Sequence, residues 1–232
     1  MSPHHRYIEE CLKLAEKSPP RPTNFRVGAI LLSRKTSDND NDDDSNTPPA
    51  NDRILSTGYT MELTGNTHAE QCCLSNYAAV HGVPDEKVSD VLPSNEPGHQ
   101  LVMYVTMEPC GKRLSGNAPC VQRIINTTYA SDGSGSRRAG IQKVFFGVKE
   151  PGTFVGGSEG CRTLSEAGIE WEVVPGFERR ILTVATAGHE NSEEEVRTAL
   201  GGEETNVDDI SAEERQRQDE QPRNPKKRMM EG

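Results

Sequence analysis

Residues 101–120 read LVMYVTMEPCGKRLSGNAPC. The run Leu101–Thr106 is continuously apolar and rich in β-branched side chains, the pattern of a strand buried on both faces. Cys110 follows the strand's end. Pro119 precedes Cys120, which opens a helix over about Pro119–Asn126. Upstream, Thr67-His68-Ala69-Glu70 opens another helix, Thr67–Val80. The two stretches together supply one imidazole, one carboxylate and two thiols. His68, Cys110 and Cys120 are the ligand set of a catalytic zinc site, which takes three protein ligands and leaves a fourth position for water. Glu70 is the proton shuttle beside them.

The rest of the chain reads outward from this pair of stretches. Residues 3–17 form an opening helix with Tyr7, Ile8, Cys11, Leu12, Leu14 and Ala15 on one broad face, and Ser18-Pro19-Pro20-Arg21-Pro22 stops it. Val27–Leu32 is a second continuous apolar strand. Gly28 inside it marks either a close approach of ligand or backbone, or a packing glycine. Arg53–Tyr59 pairs with it as a hairpin. Further strands fall at Lys143–Val148 and Ile169–Val174, with helices at about Cys161–Ala167 and Phe177–Ala187, the last presenting Ile181, Leu182 and Val184. Strands alternating with helices after an opening hairpin predict an α/β layered sheet with helices on both faces. The helix between the last two strands favours a parallel pair there.

Both metal-ligand stretches sit at helix starts that follow strands, where unpaired N–H groups and the positive end of the helix dipole favour thiolate over thiol. The carboxyl ends of strands are also where open α/β sheets bind ligands. Within a helix, His68 and Glu70 diverge by about 200°. In the first turn they instead flank a pocket, so Glu70 reaches water rather than metal. Glu70 has a plainer reading too, as the third residue of a capping box begun by Thr67. Cys72 lies four residues after His68 on the same helix face, but such a cysteine is more often a small core residue. Trp171 alternates with Ile169 and Val173, which places it in the core or at an interface.

Two stretches lack apolar periodicity. Residues 36–52 hold six Asp and no Lys or Arg, and residues 190–232 hold 13 acidic and 7 basic side chains. Neither buries enough surface to offset the entropy of ordering. The expected organisation is a folded domain over 1–188 containing a disordered acidic insert at 36–52, then a disordered charged tail over 189–232. Each stretch contributes −6 to the net charge of −10, which leaves the remainder at +2. A broad basic surface for nucleic acid is therefore not supported. No run approaches membrane-spanning length, and the start MSPHHRYIEE carries no apolar signal core. A cytoplasmic protein is expected, with Pro225-Lys226-Lys227-Arg228 as a nuclear-import candidate. In a reducing compartment, paired cysteines point to metal rather than disulfide.

The order His-x-Glu and then Pro-Cys with a second cysteine resembles the zinc-deaminase pattern H-x-E…P-C-x-x-C. Here nine residues, not two, separate Cys110 from Cys120. That widened loop is similar to the one in the pyrimidine deaminases of riboflavin biosynthesis. So are Asn24-Phe25-Arg26-Val27-Gly28, Gly58-Tyr59, Thr64-Gly65-Asn66-Thr67-His68-Ala69-Glu70 and Val105-Thr106-Met107-Glu108-Pro109-Cys110. The resemblance is strongest to the fungal diaminohydroxy-ribitylaminopyrimidine phosphate (DRAP) deaminases and spans roughly residues 1–187, the acidic insert aside.

This resemblance implies a three-layer cytidine-deaminase-like fold with a mixed five-stranded sheet and helices on both faces. It implies one Zn2+ per subunit, a homo-oligomer that is a dimer, and a small pyrimidine phosphate as substrate. The substrate would be 2,5-diamino-6-ribitylamino-4(3H)-pyrimidinone 5'-phosphate, whose 2-amino group gives way to oxygen. The pseudouridine synthase and reductase domains fused to some members are not among these residues, so the deamination step alone is implied. Asn24 matches the family's pocket asparagine and would bond the pyrimidine edge. Lys112, Arg113, Ser115 and Asn117 offer donors for a phosphorylated ribityl tail, or else form a solvated loop. Two alternatives stay open: deamination of cytidine, dCMP or tRNA adenosine on the same fold, and a non-catalytic zinc-binding partner subunit.

Overall fold

Five strands lie side by side in the order β2-β1-β3-β4-β5. The computed structural model describes residues 3–35, 52–93, 99–113, 116–129, 140–149 and 159–201. The strands are β1 (Gly28–Lys35), β2 (Arg53–Tyr59), β3 (His99–Met107), β4 (Ile141–Val148) and β5 (Glu170–Val173). Seven α-helices stand among the described residues: α1 (Pro3–Ala15), α2 (Ala69–Val80), α3 (Val88–Val91), α4 (Cys120–Asn126), α5 (Gly160–Glu166), α6 (Glu178–Ala185) and α7 (Ser192–Ala199). None is long and apolar enough to cross a membrane.

β1 runs antiparallel to both its neighbours, while β3–β4 and β4–β5 are parallel pairs. The carboxyl ends of β2, β3, β4 and β5 therefore meet at one edge of the sheet. The central strands read as unbroken apolar runs because each face supplies a separate core. Ala29, Leu31, Leu101, Met103 and Val105 face the layer built from α2, α3, α4 and α5. Ile30, Leu32, Val102 and Tyr104 face α1 and α6, which contribute Ile8, Cys11 and Ile181. This is the predicted three-layer, mixed five-stranded arrangement.

Two glycines set how closely the helices approach. A Cβ on Gly28 would lie 2.0 Å from the carbonyl oxygen of Cys11, so it is the backbone of α1 that presses there. A Cβ on Gly58 would lie 2.3 Å from the amide nitrogen of Cys73 and 2.4 Å from the Ala69 carbonyl oxygen. The first turns of α2 thus rest directly on β2.

At the edge of the sheet away from those carboxyl ends, a polar network crosses the second core. Tyr104 Oη accepts from Arg34 Nη1 and contacts His4 Nδ1, both at 2.9 Å. Tyr7 donates to Asp52 at 3.0 Å, and Asp52 also accepts from the Lys35 amide. Burial, and next the Arg34 guanidinium, hold the His4 imidazole down at about 4. On β5, the half-buried Trp171 rests against Phe146 and donates from Nε1 to Ser165 Oγ at 2.9 Å.

Contacts differ from the sequence pattern at three places. The capping box does not form: α2 starts at Ala69 with His68 at its cap, and Thr67 Oγ1 donates back to the Leu63 carbonyl. Asp52 is not part of a loose insert, because Tyr7 and Lys35 hold it at the foot of β2, while residues 36–51 lie outside the described residues. Described residues also pack beyond residue 188. His189 and Val196 are buried, and α7 follows on α6. The many Glu of that segment hid a single inward stripe. Residues 202–232 lie outside the described residues.

Two predictions follow from the packing. Gly58→Ala forces α2 off β2 and is expected to cost about 2–3 kcal/mol; urea unfolding measures it, and bound metal should fall because His68 caps that helix. His4→Gln tests the far network. Between about pH 6.5 and 4 the unfolded chain binds a proton at His4 that the folded protein refuses, so stability is lost as pH falls through that window. Discounted for partial exposure, the contribution is on the order of 1 kcal/mol. The variant's urea midpoint should drop less on acidification than that of the parent protein.

Candidate active site

Three segments converge at the carboxyl edge of the sheet. The turn before α2 closes on itself, with the Met61 amide donating to the Thr67 carbonyl at 2.8 Å and Met61 in the left-handed region at φ 62°. That closure delivers His68 to the cap of α2 in extended conformation, and the helix begins with the Cys72 amide donating to the His68 carbonyl. Glu70 follows in the first turn and is 3% exposed.

Cys110 comes from the loop leaving β3. The Glu108 amide donates to the Val148 carbonyl at 2.8 Å, and the buried Glu108 carboxylate accepts from the Cys161 amide at 2.9 Å. Gly160 lies so near Pro109 that a Cβ would come within 2.3 Å of its carbonyl oxygen. Cys120 is the first residue of α4 and is fully buried. Its amide donates to Cys110 Sγ at 3.4 Å, and the Val121 amide donates to the Cys110 carbonyl at 3.3 Å. Two orphan N–H groups of the helix start therefore grip Cys110.

The donor atoms meet in one place. His68 Nδ1 lies 3.5 Å from Cys110 Sγ and 3.4 Å from Cys120 Sγ. Cys120 Sγ donates to Glu70 Oε2 at 3.3 Å. His68, Cys110 and Cys120 offer ligand atoms all within 4.8 Å of one another. Zinc bonds of about 2.3 Å to sulfur and about 2.05 Å to nitrogen, at tetrahedral angles, require a sulfur–nitrogen edge of about 3.5 Å. The spacing and the soft donor set fit zinc. Cys72 is buried and stands outside this group.

The two thiols are electrostatically unequal. Cys110 is pulled down to about 4, first by the Cys120 thiol as donor and then by His68 and the Cys120 amide. Cys120 is pushed well up by the anion it faces, by burial and by Glu70. Glu70 is raised as well, chiefly by burial and next by the neighbouring Cys110. Burial and the facing sulfur both draw this carboxyl toward its protonated form, the direction a general acid–base group needs.

The other predicted residues take varied places. Arg113 is buried and faces the protein: Nη2 donates to the Asn66 carbonyl at 2.6 Å and Nη1 to Gln71 Oε1 at 3.1 Å. It ties the loop between the cysteines to the turn before His68. Asn24 donates from Nδ2 to Asn66 Oδ1 at 2.6 Å, which brings it against that same turn. Lys112 and Asn117 are exposed on the loop, and Ser115 lies outside the described residues. Asn66, Gln71 and the Glu108 carboxylate were not singled out in sequence. The Gly65-Asn66 pair is a turn signal, but nothing local shows that Arg113 would reach it.

Residues 49–131 match the family described as the cytidine and deoxycytidylate deaminase zinc-binding region. Over 186 residues the chain is 30% identical to the diaminohydroxyphosphoribosylamino-pyrimidine deaminase of Schizosaccharomyces pombe, covering 80% of this chain and 36% of that protein. The chain thus spans little more than a third of that relative's length. A crystal structure of the Aspergillus oryzae Rib2 deaminase at pH 4.6, a C-terminal deletion mutant, is 68% identical with a TM-score of 0.75, covering 86% of this chain and 99% of that one. The same deaminase in complex with DARIPP is 67% identical with a TM-score of 0.73, covering 86% and 98%.

Cys110→Ala and Cys120→Ala each remove one donor from the cluster. Elemental analysis of the purified variants should show bound zinc lowered about tenfold or more. Cys72→Ala should leave the zinc content unchanged.

Proposed function

The chain belongs to the Rib2-type deaminases of the cytidine and deoxycytidylate deaminase family, and we propose that it hydrolytically deaminates 2,5-diamino-6-ribitylamino-4(3H)-pyrimidinone 5'-phosphate in riboflavin biosynthesis. The product is 5-amino-6-ribitylaminouracil 5'-phosphate, with ammonia released. The observation that carries this reading is the buried Glu70 carboxylate held 3.3 Å from Cys120 beside the His68, Cys110 and Cys120 cluster. A purely structural zinc site has no use for such a carboxylate and fills its fourth position with another Cys or His.

His68, Cys110 and Cys120 would hold one zinc per chain. When bound, zinc supplies Lewis acidity that makes water nucleophilic near neutral pH. Glu70 accepts a proton from the attacking water at its carboxylate and passes it to the adjacent ring nitrogen. Glu70 then carries the proton of the added hydroxyl to the departing amine, so ammonia leaves as the carbon–nitrogen bond breaks and the carbon–oxygen bond becomes a carbonyl. Burial of Glu70 excludes bulk water from this relay. Asn24 bonds the pyrimidine edge. Lys112, with Ser115 and Asn117, meets the phosphorylated ribityl tail. Arg113 braces the loop on which they stand.

We further infer a cytoplasmic homodimer whose deaminase domain extends beyond residue 188 to include α7. The DARIPP complex of the Aspergillus oryzae enzyme supports the choice of substrate class.

Ammonia release should be measured against a panel of the ribitylaminopyrimidine phosphate, cytidine, dCMP and tRNA. Turnover of the first alone is expected. Preference for a nucleoside or tRNA would displace the substrate assignment, and no turnover of any member would leave a non-catalytic partner subunit. Glu70→Gln should keep zinc and fold and lower kcat by about 100- to 10,000-fold.

A further inference from the structure

The imidazole of His189 lies in the interior, its side chain 1% exposed, on the segment between α6 and α7. Nδ1 is 2.8 Å from Glu195 Oε2 on α7, and Nε2 is 3.2 Å from the backbone carbonyl of Asn24. Both partners are acceptors, so each contact needs a ring N–H; a neutral ring makes one and a protonated ring makes both. The ring also packs on Phe25, with centroids 5.1 Å apart. Gly188, at φ 108°, makes the turn possible: a Cβ there would lie 2.7 Å from the Arg21 amide nitrogen. Two residues after Asn24, the Arg26 amide donates to the Ala185 carbonyl at 3.0 Å. The carboxyl-terminal helices therefore hold the segment Asn24–Arg26 on one side, while the Asn24 side chain reaches across to the exposed Asn66, two residues before His68.

We propose that His189, braced by Glu195 of α7, is a positioning residue that fixes the Asn24 backbone and so sets the Asn24 amide against the substrate pocket. The inference rests on the placing of Asn24 in that pocket. Asn24 lies outside the strands and helices, after Pro19, Pro20 and Pro22, and among the described residues its backbone otherwise makes only an isolated β-bridge with Arg21. Its carbonyl and its side chain are held by different parts of the molecule. Losing the outer hold frees the carbonyl and lets the amide swing from its bond to Asn66. An interaction made equally with bound substrate and transition state changes KM and leaves kcat.

The full-length, zinc-loaded protein should be assayed as His189→Ala, His189→Gln, Glu195→Ala, Asn24→Ala and the double variant His189→Ala/Asn24→Ala. His189→Ala is expected to raise KM about tenfold, the loss of one well-made hydrogen bond, with kcat held within about twofold. His189→Gln keeps an N–H for the Asn24 carbonyl and should recover most of the affinity. Glu195→Ala should shift KM the same way by less. The double variant should be no worse than Asn24→Ala, since the two residues act in series. Hydrogen exchange read by mass spectrometry should quicken in residues 21–28 of His189→Ala.

A parental KM in His189→Ala, multiplicative effects in the double variant, or unchanged exchange over 21–28 overturns the inference. A parental KM in Asn24→Ala removes Asn24 from the pocket, and the inference falls with it. If the parent protein turns over a different member of the panel, the substrate assignment fails alone, and the same comparison is decided on that substrate. If His189→Ala does not fold, His189→Gln and Glu195→Ala decide by the same readouts.

Discussion

The contact of α2 with β2 across Gly58 governs everything near the cysteines. No side-chain atom fits between the glycine and the amide of Cys73, so the helix is seated at backbone distance. Its first turn is then fixed relative to the edge where β2, β3 and β4 end. His68 and Glu70 occupy that turn, and their reach toward Cys110 and Cys120 is short enough that an error of one ångström would separate the donors. Sheet glycines usually weaken a strand. Here that weakness is offset by a helix that could not otherwise come so close.

A second dependence is electrostatic. Two helices begin at nearly the same point, and their free amides face the same small volume. The amides of Cys120 and Val121 take the sulfur and the carbonyl of Cys110, so the start of α4 is capped by the site rather than by a serine or aspartate. Glu108 does the equivalent for α5 by accepting from Cys161. The anionic groups clustered here are therefore tolerated because backbone N–H groups already surround them. The inequality of the two thiols comes chiefly from their contact with each other: Cys110 is drawn down by the Cys120 thiol and by His68, and Cys120 is pushed up by Cys110, by burial and by Glu70.

The strands and the order of layers were legible because buried strands leave long apolar runs and the helices leave clear stops. His68, Cys110 and Cys120 were legible because sulfur and imidazole at helix starts have few other reasons to recur in that order. What stayed hidden was set by the folded geometry of turns and loops. Thr67 and Glu70 fit a capping box by spacing, yet Thr67 bonds back to Leu63 because the turn before the helix closes on itself. Arg113 looked like a phosphate donor, and only the folded loop shows its guanidinium turned to Asn66 and Gln71. The segment after residue 188 reads as charged tail because one buried histidine and one valine among many glutamates make no periodic signal.

The hairpin of β1 and β2 turns back at the opposite edge of the sheet, where Lys35 pairs with His99 and Ser33 with Arg53. Asp52 pins its foot through Tyr7 and the Lys35 amide. The stretch joining the two strands is thus attached at the end of the molecule with the least leverage over the metal donors. An epitope, affinity handle or reporter domain joined between Lys35 and Asp52 would enter and leave at that far edge.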